Sequence, residues 1–210
     1  MKVGIIGLPA TGKTTLFNAL THGEAPVTEF SGKRSEANIG TITVPDARFD
    51  HIVQVCKPKK VSPAHIEVID GAAPIGVETQ RGFGTDFFTG IRAVEALIHV
   101  VRAFETASHP APENGLDPLR DVRKVNDELM LADLTLVETR IERIEKGLHG
   151  KKIIPGSPQT MELELMQKIR DQLENEKPLK ELDLSNDEVK MIRSFDFLTL
   201  KPMIIVANVG

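Results

Sequence analysis

Apolar residues fall along this chain in two rhythms, and the change from one to the other divides it. The first rhythm is a set of short apolar runs. Residues 3–6 end at Gly7 and suit a buried parallel strand, which needs no alternation because both faces are covered. Further runs occupy residues 39–44, closed by Pro45, residues 64–69, ending at Asp70, and residues 96–104, the most apolar of the set. A last run, residues 202–206, returns near the end of the chain. Between the runs, Leu16 and Leu20 lie four apart on one face of a helix predicted over 12–20, and residues 86–94 predict another helix. Residues 22–36 and 71–84 hold Gly, Pro and charge without period and read as loops, the first of them mobile.

The second rhythm begins at Asp117-Pro118, an acid to cap a helix and a proline for its first turn. Val122, Val125, Leu129, Ala132 and Leu136 recur three and four apart. After a one-residue shift the stripe continues through Val137, Ile141, Ile144 and Leu148. Residues 147–158 read as a turn, and Ser157-Pro158 opens a second helix with Met166, Ile169 and Leu173 on one face. The pair predicts an antiparallel helical hairpin; a single amphipathic helix packed on the sheet is the alternative. Ser185 and Glu188 have capping-box spacing for a short third helix. Alternating strands and helices imply a mostly parallel α/β sheet with helices on both faces. Strand character resumes after the hairpin, so the hairpin interrupts the sheet. The expected organisation is 1–116, an inserted helical unit over 117–197, and a returning strand over 198–210.

Composition narrows the function. The 210 residues are 40% hydrophobic and 27% charged, as in a globular protein, and no apolar run reaches membrane-spanning length. The start of the chain does not read as a signal peptide, and one cysteine, Cys56, excludes an internal disulfide framework. The expectation is a cytoplasmic protein without a membrane partner. A net charge of -4 gives no general attraction to nucleic acid. Any RNA contact would need a local patch, for which Lys57, Lys59, Lys60, Arg140, Arg143, Lys146, Lys151 and Lys152 are the candidates, set against a solvated surface of mixed charge.

The chemistry sits at Gly7-Leu8-Pro9-Ala10-Thr11-Gly12-Lys13-Thr14, a full Walker A pattern between a predicted strand and a predicted helix. Gly7 and Gly12 permit backbone angles that turn successive N–H groups into one concavity. The helix start adds unpaired N–H groups and the positive end of its dipole. Lys13 would reach the outer phosphates as a point charge and act in catalysis, while the Thr14 hydroxyl would sit on Mg²⁺. The expected nucleotide contacts are Gly7, Pro9, Ala10, Thr11, Gly12, Lys13, Thr14 and Thr15. Asp70, at a strand's C-terminal end, is the second candidate for the metal, or else simply the start of a turn. Asn208, followed by Val209, follows the last strand and could bond a purine edge, or else be a turn asparagine.

Taken together these segments resemble the YchF family of Obg-like ATPases, in the translation-factor class of P-loop GTPases. The resemblance rests on residues 7–21, on Asn38-Ile39-Gly40 with Val44-Pro45-Asp46, more weakly on Lys57-Pro58, on Ile98-His99-Val100-Val101-Arg102, on Asp117-Pro118-Leu119-Arg120-Asp121, and on 128–133 and 200–208. It implies a P-loop NTPase G domain with an inserted helical hairpin, and binding of ATP, GTP or both with Mg²⁺. It also implies weak hydrolysis, a ribosome or RNA partner, and a further part of the G domain and a small C-terminal domain beyond Gly210. Val209 stands where a GTP-specific motif carries lysine.

The chain departs from the family's pattern in three places. Ala10 replaces an asparagine associated with potassium in related proteins, which removes the ground for expecting potassium activation. Arg34, beside Ser35, aligns with a magnesium-binding threonine. Asp70-Gly71-Ala72-Ala73 carries alanine where the family has a phosphate-sensing glycine. No glutamine stands just after Asp70, and Gln80 is too far along to orient water. Binding is therefore expected to be better preserved than hydrolysis. A P-loop small-molecule kinase and a non-hydrolysing nucleotide-binding scaffold remain the alternatives. A kinase would want an arginine-rich lid, whereas Arg92, Arg102, Arg120 and Arg123 are scattered.

Overall fold

The computed structural model describes residues 1–23, 38–70, 85–105, 115–149 and 156–210, with side chains in the third segment from residue 88. Residues 24–37 and the loop over 71–84, including Arg34, Ser35, Gly71, Ala72, Ala73 and Gln80, lie outside the described residues, as do Lys151 and Lys152. The chain divides into two compact units, Met1–Leu116 with Met203–Gly210, and Asp117–Pro202.

The first unit is built on five strands, β1 (Lys2–Ile6), β2 (Asn38–Thr43), β3 (His65–Asp70), β4 (Ala96–Arg102) and β5 (Met203–Asn208), in the order β2-β3-β1-β4-β5. β1, β3, β4 and β5 are parallel, with Ile5 opposite Asp70 and Ile98, and Arg102 opposite Asn208. Their C-terminal ends therefore share one edge of the sheet, where open α/β sheets carry ligands. β2 runs antiparallel to β3 at the border. On one face Ile5, Val68 and Val100 bury Phe17 of α1 (Lys13–Thr21). Gly40 of β2 brings its backbone against Thr21 and Phe17, so a side chain there would collide with Thr21 and crowd Phe17. On the other face Gly4 approaches Val94 and Leu97. α3 (Thr85–Arg92) precedes β4. α2 (Ala47–Cys56) occupies a stretch to which the sequence pattern assigned no element. Asp46 caps it, accepting from the Arg48 N–H at 2.9 Å, yet the helix buries no residue.

The second unit holds α4 (Pro118–Leu148), α5 (Pro158–Glu174) and α6 (Asn186–Ile192). Asp117 caps α4 through the Arg120 N–H at 3.0 Å, and Ser157 caps α5. The Ser185–Glu188 capping box is complete in both directions. α4 and α5 pack on each other, and Arg140 grips Glu162 with two bonds of 2.7 and 2.9 Å. The buried stripe of α4 is Val125, Leu129, Asp133, Val137, Ile141 and Ile144. It corrects the predicted path through Ala132 and Leu136, and no one-residue shift is needed. The stripe runs straight through a carboxylate, which the apolar pattern had skipped. Asp133 is 0% exposed because its oxygens accept from the Leu198 N–H at 3.0 Å, the Thr199 N–H at 2.9 Å and the Thr199 hydroxyl at 2.9 Å. A buried charge survives only with such partners. Those bonds hold the turn Leu198–Leu200 in the helical unit, so the returning strand begins at Met203 rather than at 198.

Candidate nucleotide site

The loop between β1 and α1 has an unusual backbone. Gly7, Ala10 and Gly12 all have positive φ, at 150°, 57° and 90°. A Cβ on Gly7 would strike the Val100 carbonyl oxygen, and one on Gly12 would strike the Asn208 side-chain nitrogen. Both glycines are thus required by close approach as well as by backbone angle. Ala10 adopts the left-handed conformation without glycine's freedom, at a cost of about 1–2 kcal/mol. The asparagine that the family uses there tolerates that conformation better.

The loop is stitched from inside. The Thr11 hydroxyl donates to the Leu8 carbonyl at 3.0 Å, and Thr11 is buried. Its side chain therefore faces the loop's interior, which leaves only its N–H for a ligand. The Lys13 ammonium reaches back over the loop and donates to the carbonyls of Leu8 at 2.8 Å and Gly7 at 3.2 Å. Burial pushes the Lys13 pKa down to about 8, against the upward pull of the Asp70 carboxylate. The Thr14 hydroxyl donates to Asp70 Oδ2 at 2.8 Å. Asp70, the last residue of β3, is 1% exposed. Hydroxyl and carboxylate together are hard oxygen donors of the kind a magnesium ion takes, with waters and phosphate oxygens completing its shell.

Asn208, at the end of β5, donates through its amide nitrogen to the Thr11 carbonyl at 3.0 Å, and its amide oxygen accepts from the Gly210 N–H at 3.3 Å. It fastens the phosphate loop to the last strand, and one amide N–H remains for a further acceptor. Val209 and Thr15 are exposed, as are Pro9 and Ala10. The fold thus brings Lys13, Thr14, Asp70 and Asn208 together from three separated stretches. Sequence reading missed Phe104. Its ring lies just past the end of β4 against Gly210, with the Arg102 guanidinium 5.1 Å over its centroid and the Arg102 Nε donating to its carbonyl at 3.1 Å. An aromatic two residues past a strand that ends at the ligand edge was the available signal.

Along its length the chain is similar to several known proteins. The family described as "50S ribosome-binding GTPase" matches residues 2–140. Over 210 residues the chain is 39% identical to the ribosome-binding ATPase YchF of Escherichia coli O157:H7, covering all of this chain and 57% of that protein. It is 35% identical over 211 residues to the protein of the same name from Bacillus subtilis, again covering 57% of it. The Obg-like ATPase 1 of Oryza sativa subsp. indica is 33% identical over 211 residues, with 53% of it covered. Among solved structures, the Schizosaccharomyces pombe YchF GTPase superposes with a TM-score of 0.81 at 33% identity, over all of this chain and 57% of that one. The chain therefore spans little more than half the length of these relatives.

Proposed function

Because the chain belongs to the YchF family of Obg-like ATPases, within the P-loop GTPases, we propose that it is a nucleotide-operated switch domain. It binds ATP or GTP on residues 7–15 and hydrolyses it slowly to diphosphate and phosphate. Its partner is the ribosome, as the names of its relatives say of them. A ribosomal partner would place it in the cytoplasm. Among the described residues no helix is long and apolar enough to cross a membrane.

The observation that carries the reading is the cradle itself. A loop of positive-φ residues ends in a helix N-terminus, and Lys13 stands inside it. Phosphate oxygens would take the Lys13 ammonium from the Leu8 and Gly7 carbonyls and accept from the loop's N–H groups. Thr14 and Asp70 would hold Mg²⁺, which supplies charge neutralisation on the phosphates. Asn208 would meet the purine with its remaining N–H. Slow turnover follows from the sequence, since no glutamine just past Asp70 is available to orient water.

Titration of ATP and GTP against the wild type and Lys13→Ala, with and without Mg²⁺, tests the proposal. ATP should bind at least as well as GTP, more tightly with Mg²⁺, and Lys13→Ala should abolish both. Unchanged affinity in Lys13→Ala would remove the site from this loop.

A further inference from the structure

Between Asp50 and Glu67 the chain carries Lys57, Lys59, Lys60 and two histidines and no acid, in a protein whose net charge is -4. Several of the other basic residues are held by carboxylates. Arg140 is held by Glu162, Lys146 by Glu142, Lys168 by Glu188 and Lys190 by Asp187. Lys57, Lys59 and Lys60 are all exposed, and none of the ion pairs found among the described residues involves them. Lys57 ends α2 in a left-handed turn at φ 43°, its N–H bonded to the Val53 carbonyl, and Pro58 stiffens the chain that follows. One cation would satisfy the negative end of the helix dipole, and this end has three. No residue of α2 is fully buried, and its Phe49 and Val53 are half-buried.

Resting on the ribosomal reading above, we propose that the Lys57-Pro58-Lys59-Lys60 end of α2 is a surface that docks on ribosomal RNA by its phosphates. Three exposed ammonium groups within four residues concentrate positive charge of the kind that answers phosphates rather than sequence. Beside them the helix presents Ile52 and Val55, 58% and 67% exposed, and no exposed Phe, Tyr or Trp on which bases would stack. This favours backbone contact over base recognition.

Sedimentation of the 210-residue chain with ribosomes across a salt series tests the surface. The triple variant Lys57→Ala/Lys59→Ala/Lys60→Ala should lower the slope of log affinity against log salt by about 2–3 and weaken binding about tenfold or more near 0.1 M salt. Its nucleotide affinity should equal the wild type's. A triple variant with wild-type slope and affinity overturns the surface while leaving the ribosomal reading standing. So does loss of binding in Ile52→Ser/Val55→Ser with the lysine variant unaffected, which would assign α2 to a protein partner. A wild-type chain that does not sediment with ribosomes overturns both readings.

Discussion

Adding one methyl group at Gly12 should reveal how the last strand holds the phosphate loop. Gly12 sits at φ 90°, and a Cβ there would fall inside the contact radius of the Asn208 amide nitrogen. In Gly12→Ala two costs arise. The left-handed backbone costs an alanine about 1–2 kcal/mol. Displacing the Asn208 amide breaks its bond to the Thr11 carbonyl, worth about 0.5–1.5 kcal/mol. The total is roughly 2–3 kcal/mol. In an Asn208→Ala background the second cost has already been incurred and the collision is gone, so the same methyl should cost only the backbone part. The double-mutant cycle should therefore show a coupling of about 1 kcal/mol, with the pair less destabilised than the sum of the singles. Native-state hydrogen exchange of the β1 and β5 amides reads this in the sheet unit alone. Strictly additive penalties would show that the asparagine does not brace the loop.

Asp133→Ala leaves the Leu198 and Thr199 N–H groups buried without their acceptor, at about 1–3 kcal/mol each. Exchange protection in α4 and α5 should fall by roughly 3–5 kcal/mol, and unchanged protection would refute the role given to that carboxylate. The Lys13 ammonium, lowered to about 8 by burial, predicts pH-dependent binding. Below about 8 the free protein already carries the charge that phosphates need. Above it, binding must take up a proton, so nucleotide affinity should decline up to about tenfold per pH unit. A side-chain NMR titration that places Lys13 near 10.5 would contradict this. Ala10→Gly relieves the backbone at φ 57° and should raise stability by up to about 1 kcal/mol in urea unfolding, whereas a loss would show that alanine is unstrained there.

Much of this protein is legible in one dimension because its signals are local. The strand-glycine-helix pattern around Lys13 fixes a phosphate loop whatever surrounds it. Asp117-Pro118, Ser157-Pro158 and Ser185 with Glu188 mark helix starts because caps satisfy N–H groups within three residues of themselves. α2 left a weaker trace, since a helix that buries no side chain has no strict apolar stripe. Only the tertiary structure decided that Asp133 is a core residue, since the groups that make its burial tolerable lie 65 and 66 positions away. Likewise Asn208 meets Thr11 across 197 residues, and Thr14 meets Asp70 across 56, through the parallel register of β1 with β3 and β4 and of β4 with β5. Sequence spacing records the periodicity of a helix or a strand; which distant polar groups answer one another is set by strand order.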